Sequence, residues 1–325
     1  MNGGVFMSKT TKILSIISVI LVGVGVLLAA SILTFLWEPM NILLNNPDEI
    51  VNSSPIIPLG NFVSMFGCAT ISLVLLTTHK SQKSIVIEIL SIILLGIILP
   101  LFTYYLDKAQ AIWVGNHMGD NALATLGMEG QLLFLPLRFI GLSSTICLLT
   151  SGMRIIEKLG VNKGKPIKIL SIIAVIVSVS SFLMSIAVLT VLWQPMAFSN
   201  VSSMDIIKDG PILPIGTVVS IMGSLIISIY LFVSFKSRRF MVVEIILVIF
   251  MGVILPTLAP LANLLQQIYI NSIGTNSIIR LIISKNVLDL PTITMGWTTI
   301  LCWVICGMRI SYKTSYKKIH QQEIE

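Results

Sequence analysis

Eight apolar runs of about 20 residues, separated by alternating short and long connections, make up most of the chain. A helix of that length, rising 1.5 Å per residue, crosses a hydrocarbon core ~30 Å thick. The spacing predicts helices over about 13–37, 57–78, 84–106 and 132–153, and again over about 167–193, 213–235, 240–262 and 288–309. The first run carries Leu28-Ala29-Ala30-Ser31, which resembles a cleavage site. Its equivalent at 167–193 is internal, and both runs exceed an ordinary signal-peptide core, so the first run is expected to be a retained helix.

The pattern repeats. Leu36-Trp37-Glu38-Pro39-Met40 returns 156 residues later as Leu192-Trp193-Gln194-Pro195-Met196, and Pro55, Gly67, Glu88 and Pro100 return as Pro211, Gly223, Glu244 and Pro256. One residue is lost between about Trp113 and Gly119, after which Gly152-Met153-Arg154 returns 155 residues later as Gly307-Met308-Arg309. The expected architecture is an all-α integral membrane protein of eight transmembrane helices, arranged as two four-helix repeats. An even number of spans per copy makes the repeats parallel, related by a pseudo-two-fold axis along the membrane normal. The expected divisions are an N-terminal segment 1–12, a first repeat 13–154, a linker 155–166, a second repeat 167–310 and a tail 311–325.

Composition changes little in this picture but closes alternatives. Hydrophobic residues are 55% of the chain, charged residues 11%, and mean hydropathy is +0.96. Soluble domains carry about 25% charged residues, so this chain needs a bilayer as its solvent. Cys68, Cys147, Cys302 and Cys306 all lie inside apolar runs, which implies helix residues rather than a disulfide framework.

Basic residues set the expected orientation. Lys9, Lys12, Lys80, Lys83, Arg154, Lys158, Lys163, Lys165, Lys168, Lys236, Arg238, Arg239, Arg309, Lys313, Lys317 and Lys318 flank one side, against Lys108, Lys208, Arg280 and Lys285 on the other. That asymmetry places both termini in the cytoplasm of a cell membrane. It also suits the inner rim to anionic lipid headgroups, so the net charge of +7 does not imply nucleic-acid binding. The outer connections, about 38–56, 107–131, 194–212 and 263–287, are half apolar and are expected to hold short surface helices, with Trp37, Trp193, Trp113 and Tyr269 as interfacial anchors.

Ionisable residues inside a membrane are costly and are the best local pointers to function. Glu88 and Glu244 form a matched pair one turn inside the third helix of each copy. Two readings compete: a cation or proton site near the two-fold axis, or carboxylates snorkelling to Lys80, Lys83, Arg238 or Arg239. Asp289 aligns with Phe134, four residues before Arg138, so an acid and a base occupy one face of corresponding helices. An inter-repeat ion pair between Arg138 and Asp289 is the expectation set against a substrate site and against independent interfacial charges. Pro100 and Pro256 fall near the outer end of continuous apolar runs and are candidate helix kinks, with helix termination as the alternative. Pro39 and Pro195 are expected to stop the first helix of each copy, and Pro58, Pro136, Pro214 and Pro291 to sit at helix starts. Gly25 and Ala29 match Ser181 and Ser185, a small-xxx-small face expected to make helix contacts.

No phosphate-binding, dinucleotide, zinc-protease or serine-hydrolase motif is present. His117 and Asp120 are only a fragment of a metal site. No enzymatic activity and no cofactor are expected. The scarcity of polar lining suits a permease-like protein moving a small apolar or lipid-like substrate along the repeat interface. The competing reading is a non-transporting scaffold, immunity or accessory subunit that meets a membrane-protein partner through its outer loops.

Overall fold

A computed structural model describes residues 9–43, 54–78, 85–159, 164–198, 208–234 and 241–322. Among these the secondary structure is helical throughout, and eight helices are long and apolar enough to cross a membrane. The chain divides into two compact units, Met1–Leu159 and Gly160–Glu325.

The first unit contains α1 (Lys9–Thr34), a short α2 (Trp37–Leu43), α3 (Leu59–Thr77), a long α4, α5 (Asp120–Leu132) and α6 (Phe134–Leu159). Helix α4 runs from Val86 to Ile93, continues through a π-helical turn at Leu94–Ile98, and then extends over Leu99–His117. The second unit contains α7 (Lys165–Thr190), α8 (Trp193–Phe198), α9 (Ile215–Val233), α10, α11 (Thr275–Val287) and α12 (Asp289–Gln322). Helix α10 has the same three parts: Met241–Ile249, a π-helical Phe250–Ile254, and Leu255–Asn271. In the first unit α1 packs on α6 and α3, and α3 also packs on α4 and α6; in the second, α7, α9, α10 and α12 pack in the corresponding way.

The buried stripe of α1 is Thr11, Ser15, Ser18, Val22, Gly25, Ala29 and Ile32, a strict alternation of four- and three-residue steps. Helix α7 buries Ile167, Ser171, Ala174, Ser178, Ser181, Ser185 and Val188 in the same steps. That spacing is the seam of left-handed helix packing. The seam is small and polar, whereas Ile13, Ile20, Leu27, Ile169, Ile176 and Leu183 are exposed. A soluble helix would invert this distribution. In lipid, apolar side chains lose nothing by facing outward, and small residues let backbones approach. A Cβ on Gly25 would lie 2.9 Å from Ile140 Cδ1 and 3.1 Å from the Pro136 carbonyl oxygen. In the second unit Ser181 fills that space and donates to the Pro291 carbonyl at 2.6 Å. The small-residue face therefore makes helix contacts in both units.

Hydroxyls fasten the helices midway. Ser18 Oγ lies 2.8 Å from both Ser72 Oγ and Ser143 Oγ, and 3.0 Å from Cys147 Sγ. One cluster thus ties α1, α3 and α6. In the second unit Ser178 Oγ meets Ser228 Oγ at 2.7 Å, and Ser224 Oγ meets Thr299 Oγ1 at 3.0 Å. The cysteines are free and buried.

Several sequence expectations change. The third helix of each unit does not end at 106 or 262 but continues to His117 and Asn271, so much of the expected outer connection is helix. Helix termination at Pro100 and Pro256 does not occur. Each proline follows a π-helical turn in which Leu99 or Leu255 donates five residues back, to Leu94 or Phe250. The wider turn makes room for a ring that would clash with the carbonyl four residues earlier. Pro39 and Pro195 do not stop the first helices, which end at Thr34 and Thr190. They lie in the first turn of α2 and α8, where a missing N–H costs little. Trp37 and Trp193 are buried within their units; Trp193 packs with Val188, Ala197, Ile283 and Val287. Trp113 and Tyr269 are exposed.

Gly25→Leu is expected to lower the stability of detergent-solubilised protein by about 1–3 kcal/mol through overpacking. Gly23→Leu, on the open face where nothing lies within 4 Å, is expected to be neutral or stabilising in the same equilibrium unfolding measurement.

Candidate functional site

Each unit holds two polar constellations, at opposite ends of its helices. At the end where α3 stops and α4 starts, Glu88 is fully buried in the first turn of α4. Its Oε1 lies 2.8 Å from Arg154 Nε, and Lys158 Nζ donates to Oε1 at 3.1 Å and Oε2 at 2.9 Å. Arg154 also donates from Nη1 to the Leu75 carbonyl and from Nη2 to the Thr78 carbonyl, both at 2.9 Å. One guanidinium from α6 thus satisfies final carbonyls of α3 and the carboxylate that opens α4. Cations at helix C-termini and anions at helix N-termini both complement the helix dipole.

The second unit builds the same clamp. Arg309 Nη2 lies 2.9 Å from Glu244 Oε1, Lys313 Nζ donates to the same oxygen at 2.9 Å, and Arg309 donates to the Leu231 carbonyl at 2.9 Å and the Ser234 carbonyl at 3.0 Å. Glu88 and Glu244 each therefore face two cations of their own unit. Lys80, Lys83, Arg238 and Arg239, their expected partners, lie outside the described residues.

Arg138 and Asp289 belong to different units, and each is described within its own. The Arg138 guanidinium carbon stands 4.4 Å from the centroid of the Phe134 ring, one turn earlier on α6, a cation–π contact. Asp289 opens α12, where a carboxylate complements the helix dipole. His117 Nδ1 lies 2.9 Å from the Trp113 carbonyl oxygen and its ring stacks on Trp113. Among the described residues no three His, Cys, Asp or Glu side chains gather as a metal site.

The opposite end carries a constellation that sequence reasoning missed. Pro58 precedes α3 and offers no side-chain cap, so the first N–H groups need partners from elsewhere. Helix α4 supplies them: Asp107 Oδ1 accepts from Gly60 N–H and Gln110 Oε1 from Leu59 N–H, both at 2.8 Å. Gln110 Nε2 donates to the Ile57 carbonyl at 2.8 Å, fixing the extended segment before the helix. In the second unit Asn263 accepts from Gly216 and Gln266 from Ile215, each at 2.9 Å, and Gln266 donates to the Leu213 carbonyl at 2.6 Å. Glycine is required at both contacts, because a Cβ at Gly60 or Gly216 would collide with the Asp107 carboxylate or the Ala259 carbonyl. The signal was available as a polar pair three residues apart, at 107 and 110 and again at 263 and 266. It was hidden because hydropathy ended the helix at 106.

Two cavities adjoin this cap. One, of about 270 Å³, lies between the α1 and α3 flanks, lined by Val26, Ala30, Leu33, Phe62, Met65 and Phe66 among others. Of these, Phe62 and Phe66 are about half exposed. The other, of about 440 Å³, is lined by Pro58, Asn61, Asp107, Gln110 and residues of α4 and α5. Pro58 and Asn61 line both. The first is lined almost wholly by hydrocarbon and suits an apolar ligand, while the second presents hydrogen-bonding groups and a carboxylate.

No protein family matches this chain, and no curated protein or solved structure does so at a significant level.

Glu88→Ala and Arg154→Ala are each expected to cost about 3–5 kcal/mol, because either breaks a buried ion pair by removing one partner. The double variant is expected to cost clearly less than the sum in the same unfolding measurement; additive losses would remove the clamp.

Proposed function

We propose that this chain is a permease-like protein of the cell membrane that moves a small apolar or lipid-like substrate. In this reading it is built from two parallel four-helix repeats, with both termini cytoplasmic. The slot assigned to the substrate lies within the first unit, between α1 and α3. The observation that carries the reading is the apolar cavity of about 270 Å³, with half-exposed Phe62 and Phe66 in its lining. In a bilayer such a slot meets acyl chains, and its apolar lining favours hydrocarbon over water. The reading is also supported by the character of the other polar groups. Glu88 and Glu244 face cations and the buried serines meet one another, so these groups are used in holding the helices together and leave the apolar slot without polar lining.

The parallel arrangement is supported by helices recurring at the same offset and by the same clamp in each unit. The cytoplasmic termini are supported by the basic residues gathered at one set of helix ends. A cysteine introduced as Gly160→Cys in a background lacking the four native thiols is expected to react with impermeant maleimide only after the cytoplasmic face is opened. Labelling of intact cells at that position would reverse the topology.

Reconstituted vesicles carrying a tail-labelled lipid analogue test the transport. Wild-type protein is expected to accelerate exchange between leaflets, and Ala30→Trp, which fills the slot from an exposed position, to slow it roughly tenfold, about 1.4 kcal/mol of barrier. Exchange no faster than in protein-free vesicles would overturn the permease reading in favour of a non-transporting scaffold, immunity or accessory subunit.

A further inference from the structure

The cap of α3 differs between the units in one respect that capping does not explain. Asp107 and Asn263 occupy matching places and make the same bond to Gly60 or Gly216. The second unit shows that a neutral amide oxygen suffices. The first unit therefore carries a negative charge in excess of what its helix end requires. Oδ1 of Asp107 takes the Gly60 N–H, and Oδ2 accepts no hydrogen bond among the described residues. No described Lys or Arg pairs with this carboxylate, and among the described residues it is the only charged one lining the 440 Å³ cavity. A half-buried carboxylate without a cation is costly near hydrocarbon, and a cationic ligand would relieve that cost.

The surroundings narrow the ligand. Pro58 and Asn61 line both cavities, so the carboxylate compartment adjoins the apolar slot across these two residues. Gln110 and Asn61 add hydrogen-bonding groups around the charge, whereas the adjoining slot is lined almost wholly by hydrocarbon. One molecule filling both compartments has a hydrocarbon chain at one end and a positively charged, hydrogen-bonding head at the other. We propose that the first unit binds a cationic amphiphile, a long-chain amine. Its chain lies in the slot between α1 and α3, and its ammonium lies against Asp107. This inference rests on the slot assigned above and specifies the substrate class.

Diazirine derivatives of dodecylamine and dodecanol, with the photoreactive group at the chain terminus, test it on the full-length protein in lipid nanodiscs. Both probes are expected to label slot residues such as Leu33 or Met65, the amine at roughly tenfold lower concentration, since a tenfold change in affinity corresponds to about 1.4 kcal/mol. Asp107→Asn keeps the cap in the form that Asn263 already uses, and its melting temperature is expected to match wild type. It is expected to abolish the amine's advantage and leave labelling by the alcohol unchanged. Equal labelling by the amine in wild type and Asp107→Asn would overturn the inference while leaving the slot intact. Failure of both probes to label the slot would instead remove the underlying reading.

Competition on wild-type protein keeps the test independent of any variant. Unlabelled dodecylamine is expected to displace the alcohol probe about tenfold better than dodecanol, and equal displacement would overturn the proposal. A phosphatidylethanolamine bearing the same diazirine separates the sources of the amine. Labelling by both amines assigns the site to amine-headed membrane lipids, and labelling by dodecylamine alone to free single-chain amphiphiles; either supports the cationic class.

Discussion

A helix immersed in lipid satisfies its own backbone except at its ends, and the ends organise this protein. The first four N–H groups and last four carbonyls of each helix have no partner within it, and hydrocarbon supplies none. Arg154 and Arg309 answer that constraint at one end of α3 and α9, by donating to terminal carbonyls while facing the carboxylate that opens the next helix. Asp107 with Gln110, and Asn263 with Gln266, answer it at the other end. The second helix of each unit is thus held at both ends by side chains from its neighbours. Its register against them is set by polar groups rather than by a preference among apolar faces.

The middle of each unit follows from the same solvent. Without a hydrophobic drive between helices, close approach and interhelical hydrogen bonds carry the association. Both stripes therefore run through Ser, Ala and Gly at four- and three-residue steps. The two units reach this by different substitutions. Ser18 with Ser72 and Ser143 becomes Ser178 with Ser228, one turn further along the first helix. Gly25 against the Pro136 carbonyl becomes Ser181 donating to the Pro291 carbonyl. The common requirement is a short side chain at that point, and the hydrogen bond is optional.

How much could be read beforehand depended on the range of the signal. Eight spans and the Gly25–Ala29 contact face follow from local hydropathy and residue size, which act within a few turns. The partners of Glu88 did not follow. Arg154 and Lys158 lie some 70 residues away and were visible only as positive charges that set orientation. Asp107 and Gln110 were lost for a different reason: polar residues end a hydropathy window although the helix continues through them to His117. Trp37 and Trp193 match an interfacial anchor by type, and nothing in their local sequence says that each opens a short helix and is buried within its unit. Pro100 and Pro256 read as breaks because a π-helical detour leaves no mark in composition.

Helix α12 has a mechanical consequence of its own. It runs unbroken for 34 residues, which at 1.5 Å per residue is about 51 Å, while the hydrocarbon core is about 30 Å thick. Even tilted by about 40°, a rod of that length protrudes by about two turns. With Lys313 holding Glu244, the protruding part continues from the Lys–Glu contact without a break in the helix. A rotation of α12 within the bilayer would be delivered to its final turns in water, as a stiff shaft carries torque, which makes this projection a natural handle for reporting motion of the second unit.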